Sequence, residues 1–326
     1  MNTARYDHTA SVLANGKVLV SGGWDGISAI NSAELYDAST ETWTTTGSMN
    51  AARYDHTASV LRNGILLVAG GFNHSSSLNS AELYNPSVGT WATTSNMNND
   101  RYWHTASILA NGQILVSGGY NVISSTNRAE LYDPSTETWT TTGSMNNGRY
   151  WHIASILANG QVLVTGGWGD GSYLNSAELY DPSTGIWTTT GRMNTARYYH
   201  TASVLNNGKV LVTGGYNFTS SIDSVELYDP STGIWTTTGS MNNARYAQTA
   251  SVLKNGKVLV AGGWDDGSYL NSAELYDPLT GTWTKTGNMK NNRSSHRASV
   301  LTNGNVLVTG GGSGPLGMAL NNSELY

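Results

Sequence analysis

The sequence predicts an all-β fold: a seven-bladed propeller of four-stranded antiparallel blades, the last blade having three strands. Three observations predict it. The chain of 326 residues repeats every 48, with Met1, Met49, Met97, Met145, Met193, Met241 and Met289 each opening a copy. Each copy but the last holds four short segments of strand character, the last holds three, and none has a sustained helical period. The composition agrees, because 38 glycines and only 12% charged residues, about half the ~25% usual in globular chains, suit turns and strands. One four-stranded unit cannot bury both its faces, whereas seven fanned about an axis cover one another. Length alone would suggest two domains; the repeat instead assigns residues 1–326 to one propeller domain.

Within the first copy, His8 to Leu13 alternates, Lys17 to Ser21 is β-branched and apolar, Ala33 to Tyr36 is short and mixed, and Thr42 to Thr46 is rich in Thr and Trp. Asn15-Gly16 separates the first two segments and recurs at Asn63-Gly64, Asn111-Gly112, Asn159-Gly160, Asn207-Gly208, Asn255-Gly256 and Asn303-Gly304. That dipeptide predicts a two-residue type I′ hairpin in every copy. Between the third and fourth segments, stretches such as Asp133-Pro134-Ser135-Thr136 stop the strand, since proline presets φ for a turn. The last copy carries two extra residues in the Gly312 to Leu320 loop and reaches Tyr326 before any fourth segment, so 27 strands are expected. Met1 aligns with the end of a fourth strand, which leaves ring closure to face packing. An unpaired edge near Glu324 to Tyr326 is expected there, able to recruit another chain or a second copy.

The Arg-x-x-His opening, the Gly-Gly pair after the second strand, the Glu-Leu-Tyr-Asp run and the later Trp resemble Kelch repeats. Copy one reads Arg5, His8, Gly22-Gly23, Glu34-Leu35-Tyr36-Asp37 and Trp43, and the pattern recurs along the whole chain. The resemblance implies a Kelch-type propeller. For function it implies a choice among protein-interaction modules, oxidases and carbohydrate-processing proteins. Copper-radical oxidases with Kelch-like blades need a tyrosine linked to a cysteine. This chain has no cysteine, which excludes that reading along with disulfides, Cys-ligated zinc and thiolate nucleophiles.

A formal charge of -5 without a Lys/Arg run argues against a nucleic-acid footprint or a polybasic membrane anchor. No apolar stretch approaches the ~18 residues of a membrane span, and the first residues carry no signal-peptide core. A soluble protein is expected, with its compartment left open. Neither a phosphate-cradling loop ahead of a helix nor a Gly-x-Ser-x-Gly elbow occurs. Asn73, Asn217, Asn292 and Asn321 stand in glycosylation sequons, which a chain so rich in Asn, Ser and Thr produces by chance. No cofactor, metal or catalytic residue is expected.

Two sets recur once per copy. Arg5, Arg53, Arg101, Arg149, Arg197, Arg245 and Arg293 match Glu34, Glu82, Glu130, Glu178, Glu226, Glu274 and Glu324 in number, which predicts structural ion pairs rather than an anion-binding ring. His8, His56, His104, His152, His200 and His296, with Gln248 in the remaining copy, are spread too widely about an axis to ligate one metal at about 2.0 to 2.1 Å. They are expected to bridge neighbouring strands by hydrogen bonds, a role Gln248 can share.

Function is sought where the repeat breaks. Turns after the first and third strands share one face and hardly vary. On the other face the residue two after each Arg runs Asp7, Asp55, Trp103, Trp151, Tyr199, Ala247 and Ser295, and the loops after Gly-Gly vary with it. The candidate binding residues are Tyr6, Asp7, Tyr54, Asp55, Tyr102, Trp103, Tyr150, Trp151, Tyr198 and Tyr199. Trp168, Asp170, Tyr173, Trp264, Asp265, Asp266 and Tyr269 join them at the rim. Such rings offer large contact area at small entropic cost and, beside Asp and Asn, suit a protein, a peptide or a glycan. The same rings could instead fill space between blades, the favoured role for Trp24, Phe72, Tyr120, Trp168, Tyr216 and Trp264 after Gly-Gly. The leading expectation is a non-catalytic binding scaffold. The alternatives are an enzyme acting on a sugar or small polar substrate through loop carboxylates or His74, and a fragment or artificial repeat array without a specific ligand.

Overall fold

The computed structural model describes residues 1–314 and 317–326. In the first copy the strands are Thr9–Val12, Val18–Ser21, Ala33–Asp37 and Thr42–Thr45, hydrogen-bonded in that order and antiparallel throughout. Five more copies repeat this sheet, and the last keeps three strands, Arg297–Val300, Val306–Thr309 and Ser323–Leu325. The result is a seven-bladed propeller in which first strands of adjacent blades face one another around the axis. Among the described residues there is no helix, and none therefore long and apolar enough to cross a membrane.

Burial explains the character of each strand. The second strand is covered on both faces by neighbouring blades, so Val18, Leu19 and Val20 are all buried and the segment is apolar without alternation. The third alternates, burying Tyr36 and leaving Leu35 half-buried. The fourth is outermost; its threonines are exposed and Trp43 lies across Tyr36 with centroids 5.1 Å apart. Each core cluster joins two blades: Leu61, Leu67 and Ala81 of the second pack on Met97, Ile114 and Val116 of the third. Leu301 and Leu307 of the last blade pack on Val18 and Tyr36 of the first, which closes the ring through its faces.

Three features depart from the expectations. The Asn-Gly turns are not type I′: Gly16 is left-handed (φ +80°) but Asn15 is not. Leu13 N–H donates to Lys17 O at 2.8 Å and Gly16 N–H to Leu13 O at 2.9 Å. The connection is a three-residue loop, a type I turn followed by a left-handed glycine, which accepts the same dipeptide. Second, two short ribbons, Trp168–Gly169 with Ser172–Tyr173 and Gly312–Ser313 with Met318–Ala319, add four strands to the 27 of the blades, making 31 among the described residues. Residues 315 and 316 of the enlarged Gly312 to Leu320 loop lie outside the described residues. Third, closure adds backbone bonds to face packing, with Arg5 N–H donating to Leu320 O at 3.1 Å and Gly311 N–H to Arg5 O at 2.9 Å. The edge strand Ser323–Leu325 is as expected: no fourth strand pairs with it among the described residues, and Leu325 and Tyr326 are each 40% exposed.

Candidate functional site

The site is built on the arginine five residues into each copy. All seven arginines are fully buried, and each meets its glutamate at 2.5 to 2.9 Å. Arg5 shows the arrangement: Nη1 donates to Gly22 O and Ser32 O, and Nη2 to Ser32 Oγ and Glu34 Oε1. Glu34 also accepts the backbone N–H groups of Asn2 and Thr3, pinning the loop that leads into its own blade. With cation and acceptors consumed inside each blade, these sets are structural. The Gly-Gly pair completes the joint. Gly22 and Gly23 adopt φ +61° and +105°, and a Cβ on Gly22 would lie 2.5 Å from Arg53 O of the next blade. Gly23 N–H donates to that same carbonyl at 2.8 Å.

Two residues beyond each arginine, the chain turns left-handed. Asp7, Asp55, Trp103, Trp151, Tyr199, Ala247 and Ser295 all have φ between +51° and +54°, a region that bulky residues rarely enter. Their backbones link blade to blade. Asp55 N–H donates to Asp7 O, Trp103 to Asp55, Trp151 to Trp103, Ala247 to Tyr199, Ser295 to Ala247 and Asp7 to Ser295, at 3.0 to 3.3 Å. This girdle around the axis holds the strained conformation in place. It was not foreseen, because tryptophan and tyrosine give no sign of positive φ.

The girdle aims its side chains into a funnel of about 260 Å³, lined by Asp7, Asp55, Trp103, Trp151, Tyr199, Ala247, Ser295 and, beneath them, histidines and Gln248. Arg297 lines it as well. The sequence signals Arg297 as the one charged residue at the position held by Thr9, Thr57, Thr105, Ile153, Thr201 and Thr249, a departure that lay outside the candidate set. Trp103 and Trp151 lie 4.3 Å apart, and Trp151 and Tyr199 4.6 Å, all centroid to centroid. The arc therefore both wedges adjacent blades and presents ring surface to the funnel.

The remaining candidates are placed behind or above it. Tyr54, Tyr102, Tyr150 and Tyr198 form a belt with the aromatics after Gly-Gly, as in Tyr54 on Phe72 and Phe72 on Tyr102, and Tyr198 also stacks on Trp151 at 5.1 Å. Tyr6 exchanges two backbone bonds with Trp24. Trp168 meets Tyr173 edge-on at 4.4 Å, and Trp264 meets Tyr269 at 4.3 Å, in the rim loops. Asp170 is exposed at its ribbon turn. Asp265 accepts N–H groups of Gly267 and Ser268 in its own loop, while Asp266 reaches the preceding blade to accept Ser221 N–H at 2.6 Å. Both rim acids thus have structural partners. His74 is exposed and lies against Trp24 at 4.9 Å.

Burial raises the carboxyl groups of Asp7 and Asp55 above the usual range. For Asp55 the charge of Asp7 adds to the effect, and Arg297 opposes it for both. Burial, then Asp55 and Asp7, hold the Tyr199 phenol well above its ordinary value. The histidines move the other way. His8, His56, His104, His152, His200 and His296 each place Nε2 2.9 to 3.1 Å from a threonine Oγ1, joining neighbouring blades, and burial keeps them neutral. His104 and His200 fall to about 3. Gln248 takes the vacant position by donating Nε2–H to Thr213 O at 2.9 Å. The opposite face also has cavities, one of about 470 Å³ between the second and third blades. Its lining of Asn63, Asn111, Gly112, Asp133 and Pro134 comes from the Asn-Gly turn found in all seven copies and the turn after the third strand found in six.

Comparison with known proteins agrees with this architecture. The family model of the KLHDC2/KLHL20/DRC7 Kelch-repeats domain matches residues 92–255 and 188–323, and that of the Kelch motif matches residues 5–50 and 52–98. A search of curated proteins finds no match. Among solved structures, a novel fungal alcohol oxidase of the AA5 family, in complex with copper, aligns with a TM-score of 0.80 and 21% identity over 99% of this chain and 73% of its own. That likeness is one of fold. A copper centre does not fit the donors of this chain: it has no cysteine, the ring histidines hold threonines, and among the described residues no three His, Cys, Asp or Glu cluster to bind a metal. Together the matched segments span nearly all of the sequence, and the chain belongs to the Kelch-repeat family.

Proposed function

We propose that this propeller is a non-catalytic binding scaffold that takes a protein or peptide on its loop face, with one side chain or chain end of the ligand entering the funnel. The observation that carries this reading is a crown of apolar loop tips around the funnel mouth. Ile27, Ile123 and Phe218 are 84%, 85% and 72% exposed on three different blades. A protein or peptide surface can cover such separated tips in a way a small substrate cannot. At about 260 Å³ the funnel is below the ~300–1,000 Å³ of pockets that enclose whole ligands, which suits a single inserted group. The test is a pair of peptide and glycan arrays probed with the purified protein and with Ile123→Asp/Phe218→Asp. Peptide hits weakened by the double substitution, with an unchanged circular dichroism spectrum, are expected. Glycan hits alone, or turnover of a sugar substrate, would transfer the face to one of the other readings.

The outer edge of the last blade supports a second contact, with another copy of the same chain. A Cβ on Gly287 would meet nothing within 4 Å, whereas its counterparts Gly47, Gly143, Gly191 and Gly239 each face a glycine carbonyl of the next blade. Tyr326 is 40% exposed where Tyr84, Tyr132, Tyr180 and Tyr228 are fully covered. Two such edges pairing about a two-fold axis would satisfy both. Sedimentation should show a concentration-dependent dimer that Leu325→Lys abolishes; a monomer at all concentrations removes this contact.

A further inference from the structure

We propose that the group received by the funnel is a monovalent organic cation, an ammonium of the kind carried by lysine or a chain N-terminus. This rests on the binding-scaffold reading and names its ligand chemistry. The argument begins with charge. Two carboxylates, Asp7 and Asp55, stand on adjacent blades, and Arg297 is the one guanidinium in the lining. The histidines that share the lining are neutral. When both acids are ionised one negative charge is left over; burial and the Asp7 charge favour the protonated form of Asp55 in the empty funnel, and an entering cation favours its ionisation, while among the described residues neither acid forms an ion pair with Arg297.

Hydrogen bonding points the same way. Gln248 is only 6% exposed, lines the same funnel, and spends its amide N–H on Thr213 O. Its Oε1 has no partner, and the indole N–H groups of Trp103 and Trp151 in the same lining have none either, so the funnel offers one orphan acceptor beside its two acids and two orphan donors on its aromatic side. An incoming ammonium brings three donors and no acceptor, so it complements two carboxylates and the amide oxygen, and the orphan indole N–H groups are left for a carbonyl oxygen carried by the same ligand.

The third element is the aromatic wall. Going round from Asp55, the next three positions are Trp103, Trp151 and Tyr199, their rings tilted at 49° and 32° to one another. A cation within ~6 Å of such ring faces is held by their quadrupoles, most strongly where water is excluded. One arc of the funnel thus supplies counter-charge and the adjoining arc supplies π-faces. Arg297 lies on the far side of Asp7, at the opposite end of this gradient from the rings.

The experiment uses the whole chain and three neutral-backbone probes: Nα-acetyl-lysine methylamide, its norleucine analogue and its glutamate analogue. Binding is followed through the indole N–H resonances of Trp103 and Trp151. The lysine probe should saturate and shift both resonances, with the norleucine probe at least tenfold weaker. Asp55→Asn should weaken the lysine probe at least tenfold, and Asn tolerates the left-handed backbone at that position. Arg297→Gln should tighten it. Equal binding of lysine and norleucine probes, preference for glutamate, or indifference to Asp55→Asn would each overturn the assignment. Array peptides that bind through the loop tips yet ignore Asp55→Asn would leave the scaffold reading standing and sink only the cation; loss of all peptide binding would sink the scaffold reading itself.

Discussion

The arginines and the left-handed residues two places later are both sevenfold sets, supplied one per blade by the same loop, yet one set is invariant and the other holds five residue types. The arginine is surrounded: every acceptor around it belongs to its own blade, so any other side chain leaves a buried glutamate and two carbonyls without a donor. The residue at the girdle is constrained only through its backbone. Its N–H and C=O serve the neighbours, and its side chain faces open space in the funnel. Repetition within a repeat protein therefore marks positions enclosed on all sides, and variation marks those that face a cavity.

Acid gives the severest test of the enclosed half. The histidines have folded pKa values below their unfolded one, so their contribution is complete above pH 6.5 and is lost as pH falls from there toward about 3, the value reached by His104 and His200. Each protonated in the unfolded chain alone removes about 1.4 kcal/mol per pH unit. The six together should outweigh Asp7 and Asp55, whose raised values act in the opposite sense. Urea midpoints should drop steeply between pH 6.5 and 5, and a flat profile over that span would show the histidines to be reachable by solvent.

Next in size is Arg149→Ala, which strands Glu178 inside a blade and should cost about 3–5 kcal/mol in denaturant unfolding. The matching change in the variable half, Trp151→Ala, should cost only about 1–2 kcal/mol, since the ring is partly open to the funnel, while eliminating ligand binding. Equal losses from the two would erase the distinction between enclosed and open positions. The smallest effect is at Ala247, where φ is +53°. Ala247→Gly relieves that conformation and should change stability by no more than about 1 kcal/mol, in the favourable direction, by calorimetry. A clear loss would mean that the girdle is unstrained.

Most of the architecture was legible because it recurs. Strand positions, the three-stranded last blade, the Arg–Glu pairs and the histidine bridges follow from what one copy must bury against the next. Turn type was not, since Asn15-Gly16 satisfies two loops that differ in how many residues leave the ladder, and the register of Val12 with Val18 decides between them. Asp7 and Trp103 were singled out for varying, but the backbone reason lay in long-range bonds to other blades. Of the rim acids, Asp265 closes a local turn with Gly267 and Ser268, whereas the bond from Ser221 N–H to Asp266 comes from another blade and no local motif announces it. Arg297 gives a weaker signal, because it interrupts a column of threonines two places beyond the variable position.

Because one backbone shape is shared by seven residues of five types, the funnel behaves as a ring of interchangeable sockets. A residue exchanged at any of them alters what is presented at the mouth while the connections between blades stay as they were. Recognition in such a molecule can be rewritten one wedge at a time, at a stability cost small enough for selection to explore.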